Sequence, residues 1–360
     1  MSLPGSNGRT RREFMRDVAF GSAAAVAAAR GFGAAAGEAL AQGTATGNWK
    51  SQIGLELYTV RDLMASDFEG ILAKVAALGY KEVEPAGGYN NMDPKAFKAM
   101  LDRYGLTMPS THSGARGEGA ELEKQLEGFQ IMGVKYTEVA GPPAARGGGA
   151  GAARGRGPAA PLPPGAYYDA GTGITHYAFK ETEAFGPYQP ATTLDAVKRR
   201  AAQLNATGKM LQKFGMKTFV HNHTGEFEKL SDSPRTTYDV LLEETDPALV
   251  VMQIDLGWTY MAGVDPIALF KQHPGRFELW HVKDVFGLKT VSPALSPNKR
   301  VSSMAIVPVG SGQIDYKMIF THAAEAGLKH FCVEQDNAAA WGDSLAAART
   351  SYKALSEMLS

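Results

Sequence analysis

The sequence predicts an α/β chain that closes into a (β/α)8 barrel, also called a TIM barrel, on three observations. After Trp49, short apolar segments alternate eight times with longer segments of helical periodicity. Most helical segments end at a glycine that directly precedes the next apolar segment, as at Gly79 and Gly133. The first strand is followed by Leu57-Tyr58-Thr59, whereas a doubly wound open sheet, the alternative, typically has a glycine-rich phosphate loop there. Eight strands separated by helices pair in parallel and close into a barrel.

Hydrophobic spacing and capping residues predict each element in turn. The predicted strands cover residues 53–57, 82–84, 106–111, 134–139, 216–221, 249–255, 277–281 and 329–334. The predicted helices cover residues 67–78, 93–105, 120–132, 194–214, 233–244, a short segment from 265, 315–326 and 344–359. The second of these begins at Asp93-Pro94, with proline in the position that helices favour for it. The barrel domain is therefore expected to span residues 50–360.

Residues 1–41 have the features of an export signal. Arg11-Arg12 precede Glu13-Phe14-Met15, an Ala/Gly/Val-rich stretch follows, and 39–42 provide a small-x-small cleavage site. The paired arginines resemble the twin-arginine type, which predicts a periplasmic or secreted protein. The alternative, an amphipathic or membrane-spanning helix, is disfavoured because the stretch is short, glycine-rich and interrupted by Arg30. No membrane span is expected once the signal is removed.

An insertion at 141–191 interrupts the alternation after the fourth strand. Residues 141–165 consist almost entirely of Gly, Pro, Ala and Arg, which predicts a disordered segment because such a composition buries little apolar surface. The remainder contains several tyrosines and phenylalanines. Two interpretations stay open: a tolerated surface loop, or a lid that covers a polar ligand at the catalytic face.

Charge and cysteine content exclude several classes of protein. The 37 Lys and Arg residues balance the 37 Asp and Glu residues, which argues against nucleic acid as the partner. The single cysteine, Cys332, excludes an intrachain disulfide framework and a cysteine-based zinc site. The sequence leaves open whether the protein forms a homo-oligomer.

Polar residues are concentrated where the predicted strands end, which is the catalytic face of a barrel. They are Glu56, Glu84, His112, Glu138, His221, His223, Asp255, His281, Lys283 and Glu334. Imidazoles and carboxylates without thiolates suit one divalent ion such as Mn²⁺, Zn²⁺, Co²⁺ or Mg²⁺. Structural alternatives also exist: any single histidine can be a hydrogen-bonded core residue, and Glu56 can pair with Arg61. Lys283 can likewise pair with Asp284 or Asp255.

Several motifs together resemble the sugar phosphate isomerase/epimerase superfamily, the xylose isomerase-like barrels that include ketose 3-epimerases and inosose dehydratase. The resemblance covers about residues 50–359 apart from the insertion. The motifs are Ile53-Gly54-Leu55-Glu56-Leu57-Tyr58-Thr59-Val60-Arg61, Gly79-Tyr80-Lys81-Glu82-Val83-Glu84, His221-Asn222-His223, Asp255-Leu256-Gly257-Trp258, His281-Val282-Lys283-Asp284 and Val309-Gly310-Ser311-Gly312-Gln313-Ile314-Asp315.

The resemblance implies a metal held by residues that follow strands five to eight. The family pattern is Glu, Asp, His and Glu, and its last three members correspond to Asp255, His281 and Glu334. The strand-five position is His221 instead of glutamate, which puts the two-glutamate mechanism of the epimerases in doubt. Glu138 or Glu226 can supply the missing carboxylate, and His223 can be the ligand in place of His221.

The predicted function is metal-dependent proton abstraction next to a carbonyl of a sugar or keto-sugar, as in isomerases and epimerases. Glu334 or His221 is the expected base, His112 an acid or substrate contact, and Lys283 a holder of an oxyanion. Glu84, His223 and Trp258 are the expected further contacts to the carbohydrate. The alternatives are a lyase that eliminates water or a glycoside from keto-sugars, and an exported sugar-binding barrel without catalysis. An endonuclease-type relative is disfavoured by the balanced charge and the eight histidines.

Overall fold

The computed structural model describes residues 48–86, 89, 91–140, 167–169, 174–176 and 192–360. The predicted export signal at 1–41 and the Gly/Pro/Ala-rich segment at 141–165 lie outside these residues. The predictions for both segments therefore remain predictions.

Eight parallel strands form the barrel, which confirms the predicted fold class. They are β1 (Gly54–Glu56), β2 (Glu82–Glu84), β3 (Ser110–Arg116), β4 (Tyr136–Ala140), β7 (Thr218–His221), β8 (Val250–Asp255), β9 (Leu279–Val282) and β12 (His330–Val333). Six of them form one sheet in the order β2-β1-β12-β9-β8-β7, and β3 pairs with β4. The bridges Glu82–Thr107 and Tyr136–Lys217 join these two sheets on both sides, so the ring of strands is closed.

Helices alternate with the barrel strands as the periodicity predicts. They are α1 (Arg61–Met64), α2 (Phe68–Leu78), α3 (Pro94–Arg103), α4 (Gly119–Met132), α5 (Leu194–Leu211), α6 (Thr237–Glu244), α7 (Leu256–Ala262), α8 (Pro266–Gln272), α9 (Pro297–Arg300), α10 (Tyr316–Phe320), α11 (Ala323–Ala326) and α12 (Ser344–Met358). The predicted caps Asp67 and Asp93 accept hydrogen bonds from the first turns of α2 and α3. The helix after β4 of the barrel, α5, packs against α6, as neighbouring units of a barrel do.

Three predicted boundaries were wrong, the first because a capping signal was misjudged. The helix predicted from residue 233 begins at Thr237, since Thr236 and Asp239 form a reciprocal capping box. The helix predicted at 315–326 is divided into α10 and α11. The third strand lies later than predicted and runs to Arg116, and its pairing with β4 shifts register between Thr111 and Ala115.

Two elements near the ends of the strands were not predicted. Helix α7 begins directly after β8, and its close approach to β9 requires Gly257, where a Cβ would lie 2.7 Å from the carbonyl oxygen of Lys283. The second element is an antiparallel hairpin of β10 (Asp284–Phe286) and β11 (Ala305–Val307). Both were missed because these strands and this helix are too short for periodicity to reveal them.

Within the insertion, β5 (Tyr167–Asp169) pairs antiparallel with β6 (Ile174–His176). Among the described residues, no helix combines the length and the apolar character that crossing a bilayer would require.

Candidate active site

The candidate site lies where the barrel strands end, because strand register places polar residues of neighbouring strands side by side. Asp255 at the end of β8 is in register with His281 on β9, and Glu56 on β1 is in register with Glu84 on β2. Successive residues of a strand point to opposite faces, so these side chains share the inner face of the barrel mouth. The strand ends that the sequence singled out therefore form one cluster.

The imidazole of His281 connects two carboxylates in the centre of this cluster. Its Nε2 lies 2.7 Å from Glu84 Oε1, and its Nδ1 lies 2.8 Å from Glu334 Oε2. Burial alone would lower the pKa of His281, but the charge of Glu84 and the hydrogen bonds to both carboxylates raise it well above its usual range. A positive charge is therefore strongly favoured between Glu84 and Glu334, in the form of a proton or of a bound cation.

The ammonium group of Lys283 is fully buried and surrounded by carboxylates. Its Nζ lies 3.1 Å from Asp255, 3.1 Å from Glu334 and 2.5 Å from Asp336. Burial opposes the charge, but these three carboxylates raise the pKa of Lys283 well above its usual range. Of the two partners that the sequence suggested for Lys283, Asp255 contacts it. Asp284 has other partners.

Asp284 instead secures the loop that carries the Gly310-Ser311-Gly312 motif. Its carboxylate accepts hydrogen bonds from the backbone N–H groups of Gly310, Gly312 and Ile314. This motif therefore has a structural role, because its hydrogen bonds to Asp284 order the segment that follows β11.

Glu56 faces Glu334 within the barrel and does not pair with Arg61. The Arg61 guanidinium donates instead to the backbone oxygens of Tyr58 and Asp336. Burial, and next the nearby charge of Glu334, raise the pKa of Glu56 well above its usual range. Burial also raises the pKa of Glu334. The positive charge of Lys283 and the hydrogen bond from His281 outweigh this effect, so the pKa of Glu334 lies well below the usual range. A protonated Glu56 therefore donates to an ionised Glu334.

Two further imidazoles, His112 and His221, lie next to each other with ring centroids 4.9 Å apart. His112 faces carboxylates: its Nε2 lies 3.2 Å from Glu84 and its Nδ1 lies 3.7 Å from Glu138. Burial lowers the pKa of His112, but these charges more than compensate and raise it. For His221, burial and then the neighbouring positive imidazoles, His281 first, lower the pKa well below its usual range. The pair therefore combines a charged and a neutral imidazole.

Three site residues were missed by sequence reasoning: Ser110, Gln253 and Asp336. Gln253 donates to both oxygens of Glu84 and lies 3.0 Å from His221 Nδ1. Ser110 Oγ also donates to Glu84. Strand alternation could have revealed Gln253, because it lies two residues before Asp255 and thus on the same face.

The remaining predicted residues lie at the edge of the cluster or beneath it. Glu138 is close to His112 and half-exposed, apart from the central carboxylates. His223 is exposed beside the ring of His221, and its backbone N–H donates to Glu226. Trp258 is fully buried, with its ring 4.9 Å from Lys283 Nζ. Trp258 therefore packs under the site and does not line its open side.

The cluster fits a divalent cation by its donor chemistry and charge. One ligand atom each from His221, Asp255, His281 and Glu334 lie within 4.8 Å of one another. Asp255 Oδ1 accepts from the Trp258 N–H, and its Oδ2 faces Lys283 Nζ at 3.1 Å. Three carboxylates, Asp255, Glu334 and Asp336, surround the single ammonium group of Lys283. Nitrogen and oxygen donors with excess negative charge suit Mn²⁺, Zn²⁺, Co²⁺ or Mg²⁺.

The ionised state of Glu84 predicts acid sensitivity of chelator-treated protein. Burial would raise the pKa of Glu84, but the charges of His281 and His112 and hydrogen bonds from His281 and Ser110 lower it from 4.5 to about 2. The resulting stability is complete above pH 4.5 and is lost as the pH falls towards 2, by about 3 kcal/mol. Denaturant unfolding at stepped pH should show a shallower acid loss in Glu84→Gln. The exposed Glu121→Gln control should match the wild type, and equal slopes in all three proteins would contradict the assignment.

Comparisons with known proteins agree with the class that the fold and the site define, an α/β barrel with a polar centre at its mouth. No family model matches the chain. The chain is 26% identical over 285 residues to inosose dehydratase of Geobacillus kaustophilus, covering 75% of this chain and 81% of that protein. It is 29% identical over 161 residues to inosose dehydratase of Clostridium tetani, covering 42% of this chain. That match spans about half the length of the relative, 52%.

Solved structures similar to this chain include sugar phosphate isomerase/epimerase and xylose isomerase-like barrel proteins. A sugar phosphate isomerase/epimerase from Parabacteroides distasonis superimposes with a TM-score of 0.56 and 20% identity, covering 84% of this chain and 97% of that one. A xylose isomerase-like barrel protein from Mycobacterium smegmatis, in complex with magnesium, superimposes with a TM-score of 0.52 and 15% identity, covering 86% and 96%. At these identities the likeness establishes the fold.

Proposed function

We propose that this chain is a metal-dependent dehydratase that removes a proton next to the carbonyl of a keto-polyol and expels a hydroxyl group from the adjacent carbon. The observation that carries the proposal is the pair of adjacent imidazoles, His112 and His221, of which His221 also belongs to the group of ligand atoms with Asp255, His281 and Glu334. The similarity to inosose dehydratases supports the substrate class. This proposal takes the lyase branch that the sequence left as an alternative to isomerisation.

Asp255, His281 and Glu334 would hold the ion, since they meet at the mouth and supply one nitrogen and two carboxylate donors. A bound divalent ion supplies Lewis-acid polarisation of the substrate carbonyl, which makes the neighbouring C–H bond more acidic. Lys283 keeps two of these ligands charged and in place through its contacts with Asp255 and Glu334. The ligands are thus oriented before an ion arrives.

His221 is the proposed base and His112 the proposed acid. His221 faces the amide of Gln253 and other imidazoles, which favours its neutral form, whereas His112 faces Glu84 and Glu138, which favours its charged form. Pairs of groups whose surroundings separate their pKa values are typical of acid–base catalysis. The C–H electrons form the new double bond when His221 takes the proton. The C–O bond then breaks, and the proton of His112 completes a water molecule.

The short distance between the two rings supports elimination over epimerisation. Because the ring centroids are 4.9 Å apart, the base and the acid act on the same side of a bound polyol. Epimerisation needs proton delivery to the opposite face of the carbon, whereas elimination needs it at the neighbouring oxygen. A proton transferred from His221 to His112 afterwards restores both residues for the next turnover.

Deuterium exchange in heavy water tests this proposal directly. The protein is stripped with a chelator, reloaded separately with Mn²⁺, Co²⁺, Mg²⁺ or Zn²⁺, and mixed with a panel of cyclic and linear keto-polyols. The expected result is metal-dependent formation of an unsaturated ketone on at least one of them. Exchange or an isomer without elimination would instead identify an isomerase. If metal is bound but no elimination product, no deuterium exchange and no isomer is detected, a sugar-binding barrel without catalysis would be favoured.

We also propose that residues 1–41 direct export through the twin-arginine route. The paired arginines and the cleavage site at 39–42 support this proposal. Replacing Arg11 and Arg12 together by lysine should leave the protein in the cytoplasm with residues 1–41 still attached. Cell fractionation and mass determination of the intact chain provide the readout. The conservative change Arg9→Lys is the control, and unchanged periplasmic yield in the double variant would contradict the proposal.

A further inference from the structure

The buried side chain of Gln253 lies between the proposed base and the central carboxylate. Gln253 is on β8, two residues before Asp255, and is in register with His221 on the neighbouring strand β7. Its amide nitrogen lies 2.8 and 3.1 Å from the two oxygens of Glu84, and its amide oxygen lies 3.0 Å from His221 Nδ1. It is 1% exposed, so its hydrogen bonds are protected from water.

The partners of Glu84 determine which way the amide of Gln253 points. Glu84 also accepts hydrogen bonds from Ser110 Oγ and from the His281 imidazole, so its oxygens serve as acceptors. An amide oxygen facing these carboxylate oxygens would be repelled, whereas the amide NH₂ group can donate to both. The NH₂ group therefore faces Glu84, and the amide oxygen faces His221.

The orientation of the amide in turn determines where His221 carries its proton. An amide oxygen can only accept a hydrogen bond, so His221 Nδ1 must be the donor across the 3.0 Å contact. In a neutral imidazole one ring nitrogen carries the hydrogen and the other keeps a lone pair. With the hydrogen on Nδ1, the lone pair is on Nε2, the nitrogen that does not face Gln253.

We propose that Gln253 is a positioning residue that fixes the tautomer of His221, leaving Nε2 as its basic nitrogen. A carboxylate base has no tautomers, so a glutamate at this strand-five position would need no such partner. An imidazole needs one, because the wrong tautomer presents an N–H to the substrate in place of a lone pair. This inference rests on the proposed function in one respect, which is that His221 acts as the base.

Nitrogen NMR of the histidines tests the tautomer without any turnover. The full chain is produced with ¹⁵N-labelled histidine and stripped with a chelator, and long-range proton–nitrogen spectra are recorded at neutral pH. The His221 signals are assigned from the spectrum of His221→Asn. The expected pattern is a protonated Nδ1 and a bare Nε2. A protonated Nε2 in the wild-type protein would overturn the proposal, whatever the enzyme does.

The Gln253→Met variant separates positioning from general packing. Methionine has a similar length and no hydrogen-bonding amide, so His221 should show a mixture of tautomers or a protonated Nε2. The matched control is Met252→Leu, a buried change at the preceding residue of the same strand, which should leave the wild-type pattern. An unchanged His221 pattern in Gln253→Met would overturn the proposal.

Kinetics of the reloaded variant give the second readout. Loss of an orienting partner of this kind typically reduces activity by about 10- to 100-fold. We expect that loss in kcat, with KM changed by less than about threefold, because Gln253 contacts Nδ1 of His221 and not the proposed basic nitrogen Nε2. Equal kcat in both proteins would overturn the proposal. If the wild-type protein turns over none of the substrates, the proposed function fails while the NMR result still decides this inference.

Discussion

Replacing Lys283 by methionine is expected to destabilise the chelator-treated protein by about 3–5 kcal/mol, a large fraction of the stability of an ordinary domain. The ammonium group is fully buried and within 3.1 Å of Asp255 and Glu334 and 2.5 Å of Asp336. Without it, three carboxylates are left close together with their main compensating charge removed. Denaturant unfolding measured by circular dichroism provides the free energy of unfolding.

Replacing an exposed lysine should have a much smaller effect on the free energy of unfolding than replacing the buried Lys283. Lys271 lies in the last turn of α8 and is exposed, so Lys271→Met should change the free energy of unfolding by less than about 0.5 kcal/mol. Added divalent ion should restore part of the stability of the Lys283 variant, because the cation compensates the same carboxylates. A Lys283→Met protein as stable as the wild type would show that the ammonium is dispensable.

Replacing His221 by asparagine is expected to lower kcat for elimination by about 10²- to 10⁴-fold while the protein keeps its metal. Asparagine retains a polar side chain next to Gln253 but has no basic nitrogen. Glu334→Gln should behave differently, since Glu334 is a proposed ligand and its loss should reduce metal content as well as rate. Elemental analysis of the purified variants, alongside deuterium exchange, separates the two effects.

A distant histidine provides the control for the His221 experiment. His322 lies between α10 and α11, where it contacts Glu325, and His322→Asn should retain wild-type rate and metal content. Loss of the metal in His221→Asn would instead identify His221 as the fourth ligand, as its place in the four-residue group also allows. Full activity in that variant would exclude both roles.

The repeating alternation of strand and helix predicted the barrel because each unit carries its own local signals. The glycines that end the helices adopt the left-handed conformation, as at Gly79 with φ of 114° and Gly133 with φ of 88°. Their positions follow from local chain geometry, which is why sequence alone located them. Helix α7 escaped prediction because its 7 residues are too few to show a clear periodicity, and the Asp255 side chain that caps it also belongs to the site.

The sequence predicted which residues belong to the candidate site, but not all of the contacts that they make with one another. His281, Asp255 and Glu334 were identified from their positions at strand ends, and they do lie together. The partners of Glu56 and Lys283 were not foreseen in full, since Glu334 and Asp336 lie in the segment after β12, far along the chain. Such pairs depend on barrel register, which no local pattern encodes.

The sequence by itself determined the barrel, the face that carries the polar residues and the donor types in the cluster, because periodicity and strand order are local properties of the chain. Only the tertiary structure decided which of those residues form ion pairs and hydrogen bonds with one another. Closing the ring brings β1, β2, β8, β9 and β12 to one mouth, where burial makes every unpaired charge costly. That cost selects the partners: His281 between Glu84 and Glu334, and Lys283 among the carboxylates.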